Sequence, residues 1–248
     1  MPRLVLWGST ATTATVAHMV LMEAGADFEA RFISLREGDN RQPAFLALNP
    51  KGEVPVLVTP CGSAITETPV VCQFIAETHP QAGLLPADQT ARAQCLGWLA
   101  WCSYRQANTY ALALMPGRGA RDQAAQQGVR EAALRRVGKA LAHLDSALED
   151  GRDFLMGGQA TLPDFYVALQ TRWAGRLGAA LPARVEAHRA RVLARPAVAR
   201  VLTIEGMDPT PLPDRASPTM LRPCPTPSSV PFPSSISATA RPTGTPPA

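Results

Sequence analysis

The chain has 248 residues, 46 % of them hydrophobic and 18 % charged, with a formal net charge of +4; this length admits one large domain or two small ones, with enough apolar residues for a real core. No apolar run reaches the roughly 18 residues a membrane span needs, and the mild positive excess is spread among acids with only 6 % aromatics, which argues against a nucleic-acid groove. The five cysteines (Cys61, Cys72, Cys95, Cys102, Cys224) form no CxxC pair and the four histidines (His18, His79, His143, His188) stand far apart, so neither a disulfide framework nor a metal site is expected.

Met1-Pro2-Arg3 leads straight into a strand-like stretch over residues 4–7 with no signal-peptide h-region, and a cytoplasmic protein is the expectation. An apolar helix follows over 16–24, ending at Gly25, a natural C-terminal stop. Strands are expected over 28–34, 54–58 and 64–66, and helices over 43–48 and 69–78. The order β-α-β-α-β-β-α suggests an α/β unit with a mixed sheet over residues 1–80. Residues 81–87 read as a linker. From there strands cease. Leu134, Val137, Leu141, Leu144 and Leu148 recur at steps of three and four, one face of an amphipathic helix. Further helices are expected over 98–115, 164–177, 184–193 and 196–204, giving an all-helical unit over 88–206. Half of the 24 prolines fall after Met207, interleaved with Ser and Thr. Such a composition cannot bury enough apolar surface to offset chain entropy, so 208–248 is expected to be a disordered tail.

Two segments concentrate chemistry. In Asn49-Pro50-Lys51-Gly52-Glu53-Val54-Pro55-Val56-Leu57, a proline entering a strand fits a sheet edge, with a cis Val54–Pro55 bond as one option. That turns the backbone of Val54 outward, toward an extended peptide ligand. Nine residues after Leu57 begins Thr66-Glu67-Thr68-Pro69, where Thr68 reads as a helix N-cap and Pro69 as its first residue. A helix N-terminus suits a carboxylate, and Glu67 beside it suits an ammonium. Taken singly, each piece is also an ordinary edge strand or capped helix.

Together the two segments resemble the glutathione-binding half of the cytosolic glutathione S-transferase family, in particular its bacterial beta- and nu-like members. NPKGEVPVL and TETPVVCQFIAE match the family's two N-terminal motifs, and Glu23-Ala24-Gly25-Ala26-Asp27-Phe28-Glu29 continues the likeness. So do Ala160-Thr161-Leu162-Pro163-Asp164-Phe165, where Thr161 and Asp164 form a capping-box-like pair, and Arg195-Pro196-Ala197-Val198.

The resemblance implies a thioredoxin-like N-terminal domain followed by an all-helical C-terminal domain, working as a homodimer. It implies glutathione as co-substrate, no further cofactor, and no nucleic-acid or membrane partner. Glutathione would lie against Val54, Glu67 and Thr68, with Arg36 near the glycyl carboxylate. Glu53 departs from the Lys or Gln common there and receives no role. The second partner would be a small hydrophobic electrophile, bound on the stretch 98–115 by Tyr104, Asn108 and Met115.

A free thiol ionises near pH 8.5, so the thiol needs donors to react at neutral pH. The loop before the first helix contains Ser9, Thr10, Thr12 and Thr13, with neither Tyr nor Cys. Counting back from Glu23-Ala24-Gly25 sets Thr13 at the position where beta-class enzymes have Cys, followed in order by Thr12, Thr10 and Ser9. These hydroxyls serve either to cap the helix or to face the sulfur. Three functions stay open: conjugation of the thiolate to the electrophile, glutathione-dependent reduction of peroxides or disulfides, and a catalytically silent glutathione binder.

Overall fold

The computed structural model describes residues 3–207; the expectation for 208–248 lies outside them. Strand β1 (Leu4–Gly8) pairs in parallel with β2 (Phe28–Phe32) and antiparallel with β3 (Val56–Val58), which pairs antiparallel with β4 (Ala64–Thr66). The sheet order is β2-β1-β3-β4. Successive side chains of a strand point to opposite faces, and the core divides accordingly. Leu4, Leu6 and Leu57 join α1 (Ala14–Glu23) and α3 (Thr68–Thr78) in the main core, whereas Trp7, Ile33 and Val56 gather round Phe45 of α2 (Pro43–Leu48).

Where bounds differ from expectation, the local chemistry explains it. β2 stops at Phe32 because the N–H of Ser34 turns to Asp39 Oδ2 at 2.8 Å. β3 begins at Val56, since Pro55 has no N–H to give a ladder; the Val54–Pro55 bond is cis. α1 ends as read: Gly25 has φ +64°, and Ala26 and Gly25 donate to the carbonyls of Leu21 and Met22 at 3.1 and 3.2 Å, a Schellman closure. α3 starts one residue early. The cap is Glu67, with φ +69°, whose carbonyl accepts from Val71 N at 2.9 Å; Thr68 and Pro69 are the first two helical residues. A non-glycine residue held there costs on the order of 1–3 kcal/mol.

The rest is helical. α4 (Gln89–Ala100) runs into a π-helical segment (Trp101–Ala107) and then α5 (Asn108–Leu114). α6 (Gln123–Ala147), α7 (Leu162–Arg176), α8 (Ala183–Leu193) and α9 (Pro196–Ile204) follow. The buried face of α6 is Ala133, Val137, Ala140, Leu141 and Leu144, leading to Leu148; Leu134 is only half-buried. α7 is buried along most of its length and forms the axis of this part. α1 packs against α3, α7 and α9, joining the two parts. The architecture is a thioredoxin-like α/β unit followed by an all-helical one. Among the described residues no helix is long and apolar enough to cross a membrane.

Candidate functional site

Two sequence-distant segments meet a helix at the boundary between the α/β unit and the helical unit, leaving a cleft of about 490 Å³. One wall is Val54 and Pro55, where the chain enters β3, with Glu67, Thr68, Pro69 and Val70 at the start of α3. The facing wall is Ala100, Ser103, Tyr104, Ala107 and Asn108 from the α4–π–α5 rod, with Tyr166 of α7 behind. Thr13, at the start of α1, also lines it. A second hollow of about 620 Å³ shares Tyr104 and Asn108 with it, but every residue around it comes from the helical unit. Of these two, the first cleft joins an exposed strand entrance, a helix N-terminus and a set of hydroxyls.

The motif that builds the strand wall holds its own shape. Asn49 Nδ2 donates to the carbonyl of Glu53 at 2.7 Å, and Asn40 Nδ2 to that of Gly52 at 2.7 Å. Gly52, with φ +65°, would bring a β-carbon to 2.9 Å from the Arg41 guanidinium. Val54 precedes the first rungs of the ladder, Trp7↔Val56 and Val56↔Thr66. Lys51 Nζ donates to Thr66 Oγ1 at 3.0 Å and pairs with the Glu67 carboxylate. Lys51, Glu53 and Glu67 therefore make this end of the cleft charged, while Val54, Pro55, Pro69, Val70, Ala100 and Ala107 make its sides apolar.

Of the four loop hydroxyls, Thr13 alone is among the lining residues. Thr13 occupies the N-cap position of α1 but makes no side-chain capping bond. Thr12 does the bracing instead: its Oγ1 donates to Ser9 O at 2.6 Å and accepts from Ala14 N at 3.2 Å. Ser9 and Thr10 lie outside the lining.

Val54, Glu67 and Thr68 come together in the cleft, and so do Tyr104 and Asn108. Arg36 and Met115 do not line it. Arg36 is exposed on the turn that follows β2, a turn closed when Asp39 N donates to Ser34 O at 3.1 Å. Met115 stands beyond the end of α5 with φ −134°, so the four-and-seven spacing that put it on one face with Tyr104 is broken. The π turns between add to the loss of register.

Sequence reasoning missed Lys51, Ser103 and Tyr166. The Tyr166 hydroxyl interacts with the side chains of Ser103 and Thr68, and burial holds its pKa well above the ordinary tyrosine range, so it stays protonated. The one local signal was its position two residues after Asp164, at the start of the second turn of a buried helix. Among the described residues no three His, Cys, Asp or Glu side chains cluster as metal ligands.

The family model "Glutathione S-transferase, N-terminal domain" matches residues 12–78, and "Glutathione S-transferase, C-terminal domain" matches 100–196. A solved glutathione transferase from Methylococcus capsulatus is 31 % identical, with a TM-score of 0.72 over 82 % of this chain and 98 % of its own. A sphingomonad glutathione S-transferase solved with glutathione is 30 % identical, with a TM-score of 0.72 over 82 % of this chain and all (100 %) of its own. The maleylacetoacetate isomerase of Pseudomonas aeruginosa is 29 % identical over 176 residues, 69 % of this chain and 81 % of its own. With both halves matched in order and the cleft at their junction, the chain belongs to the cytosolic glutathione S-transferase family and is a glutathione transferase.

Proposed function

We infer that the cleft conjugates the glutathione thiolate to small hydrophobic electrophiles, with Thr13 as the donor that stabilises the sulfur. The observation that supports this most is the division of labour in the loop: Thr12 braces the turn, and Thr13 lines the cleft with no capping bond. A hydroxyl donating to sulfur favours the thiolate without ionising itself. The thiol proton leaves to solvent, the sulfur forms a bond to the electrophilic carbon, and the electron pair departs with the leaving group or onto the acceptor's π-system.

In this reading the peptide lies extended beside Val54, using its backbone ahead of the ladder. Thr68 and the first turn of α3 take the γ-glutamyl carboxylate, and Glu67 takes the ammonium. The cation among the lining residues is Lys51, held against Thr66 and Glu67, and Arg36 stands outside the lining. Tyr104 and Asn108 meet the electrophile against the apolar side chains. The division is residues 1–80 for glutathione and 88–206 for the electrophile. A homodimer acting in cytoplasmic detoxification is the assembly and role that the family resemblance adds to this proposal.

The test is an ultraviolet difference spectrum of the protein with glutathione between pH 5 and 9, for wild type and Thr13→Ala. A thiolate band with a midpoint well below about 8.5, lost in Thr13→Ala, is the expected result. Binding without a band in either protein would instead indicate a silent binder.

A further inference from the structure

The last described helix holds the loop that bears Thr13. Glu205, directly after α9, is 4 % exposed. Its Oε2 accepts from Thr15 Oγ1 at 2.7 Å and from the backbone N–H of Ala11 at 3.3 Å, and its Oε1 lies 2.9 Å from His18 Nδ1. A buried carboxylate is tolerated only when its oxygens are matched by donors, and all three of these come from the Thr13 loop or the first turns of α1. Ala11 is held from two sides, because its carbonyl also accepts from Trp173 Nε1 of α7 at 3.2 Å. Its φ of +58° is one an alanine adopts only when its surroundings impose it. At the far end of α9, Arg195 grips Glu23 of α1 through Nε and Nη2 at 2.8 and 2.7 Å. Thus α9 is fastened to both ends of α1, and Thr13 sits between two residues bound by Glu205.

We propose that Glu205 is a positioning residue for catalysis: it fixes the Ala11–Thr15 turn so that the Thr13 hydroxyl meets the glutathione sulfur. This rests on the reading of Thr13 above. Charge alone would not help, since a carboxylate near a thiolate opposes it; the contribution is geometric. Displacing a catalytic group by about 1 Å can cost on the order of a hundredfold in rate. The Glu205→Gln change keeps the shape but presents an amide N–H₂ to one of the three donors.

The experiment uses the full chain, with circular dichroism as the check on folding. Glutathione binding, the thiolate midpoint and kcat with a chloronitrobenzene are measured for Glu205→Gln, Thr15→Val, Thr15→Ser, Thr13→Ala and the Glu205→Gln/Thr13→Ala double variant. The expected result is a kcat loss of tenfold to a hundredfold in Glu205→Gln with an unchanged KM for glutathione. A midpoint raised by about one pH unit should accompany it. Thr15→Val should behave likewise and Thr15→Ser should recover, which covers the case in which Glu205→Gln does not fold. In the Thr13→Ala background Glu205→Gln should add nothing.

Three outcomes overturn the proposal. If Thr13→Ala abolishes the band while folded Glu205→Gln and Thr15→Val keep it, Glu205 has no positioning role and the Thr13 reading stands. If Thr13→Ala keeps the band, the Thr13 reading fails and this proposal with it. If the two changes are additive, Glu205 acts by some route other than Thr13.

Discussion

The Asp164 carboxylate and the His188 imidazole lie 2.7 Å apart, Nε2 to Oδ1, with neither side chain reached by solvent. Asp164 also accepts from Leu155 N at 2.9 Å and from Thr161 N and Oγ1 at 2.7 and 2.9 Å. One side chain thus starts α7, anchors the preceding loop and ties down α8. Removing one partner of a buried hydrogen-bonded pair costs about 3–5 kcal/mol, so Asp164→Ala should lower stability by that amount in urea unfolding. Since Asp164 is not among the residues that line the cleft, activity per folded molecule should be retained. A stability loss under 1 kcal/mol would show the pair to be incidental.

The Lys51–Glu67 pair behaves in the opposite way. Both side chains are about half exposed, 46 % and 56 %, and exposed pairs contribute little to folding. Glu67→Gln should therefore leave the unfolding midpoint within experimental error, while a lost charged contact raises KM for glutathione roughly ten- to a hundredfold. Steady-state kinetics beside a urea curve separates the two. Equal losses in both would refute a ligand role for Glu67.

On the electrophile side, geometry distinguishes residues that spacing had grouped. Asn108 Nδ2 donates to Tyr104 O at 2.8 Å, keeping the π segment and α5 in one rod. Tyr104→Phe and Asn108→Ala should each lower kcat/KM about five- to tenfold for electrophiles bearing a polar acceptor group, with KM for glutathione unchanged. Met115→Ala should alter neither. A Met115 effect as large as that of Tyr104 would mean that the cleft reaches farther than its lining residues.

What could be read from the sequence was local. Asn49–Leu57 and Thr66–Pro69 hold their chemistry in contiguous residues, so the strand entrance and the α3 start were recognisable from proline, glycine and hydroxyl positions. The bounds of α2, β4 and α9 followed for the same reason. The Thr68 cap was one residue off because a positive φ at Glu67 is imposed by its neighbours, not by glutamate's own preference. Tyr166 meets Ser103 and Thr68 only through tertiary packing. Glu205 reaches Ala11 across 194 positions, a separation no periodicity encodes. Met115 left its expected face because α5 ends at Leu114 and the backbone turns out of the helix at Met115, with φ −134°.

The cysteines yield a pH experiment. Cys61 is fully exposed on the β3–β4 turn, and hydrogen bonds from Thr59 and Ser63 bring its pKa down to about 7. Its alkylation by iodoacetamide should rise through pH 7, whereas Cys72, Cys95 and Cys102 should react only on unfolding; peptide mass spectrometry reads each site separately. Burial pushes Cys95 up to about 11, and Cys72 and Cys102 higher still. The sign for stability follows from the proton count. Above the ordinary thiol pKa of about 8.5 the unfolded chain releases protons that the folded chain keeps. The stability these thiols contribute is complete below about pH 8.5 and declines as the pH rises beyond it. A urea midpoint flat to pH 10 would contradict the burial of these thiols.

Truncation tests how far toward the C-terminus the site extends. Met207 is 5 % exposed and donates through its N–H to Leu202 O at 2.7 Å, so the packing of α9 continues past Glu205. A chain ending at Met207 retains the Glu205 carboxylate and the closing turn, and should bind glutathione and show its thiolate band like the full chain. A chain ending at Ile204 leaves the Thr15 hydroxyl and the Ala11 N–H without their acceptor, each worth about 1–3 kcal/mol when left unpaired in a buried setting. That chain should unfold at clearly lower urea and lose the band even where circular dichroism shows it folded. Calorimetry with glutathione on both chains gives the comparison. Equal binding and equal bands would mean that the Thr13 turn holds its shape without α9's final residues.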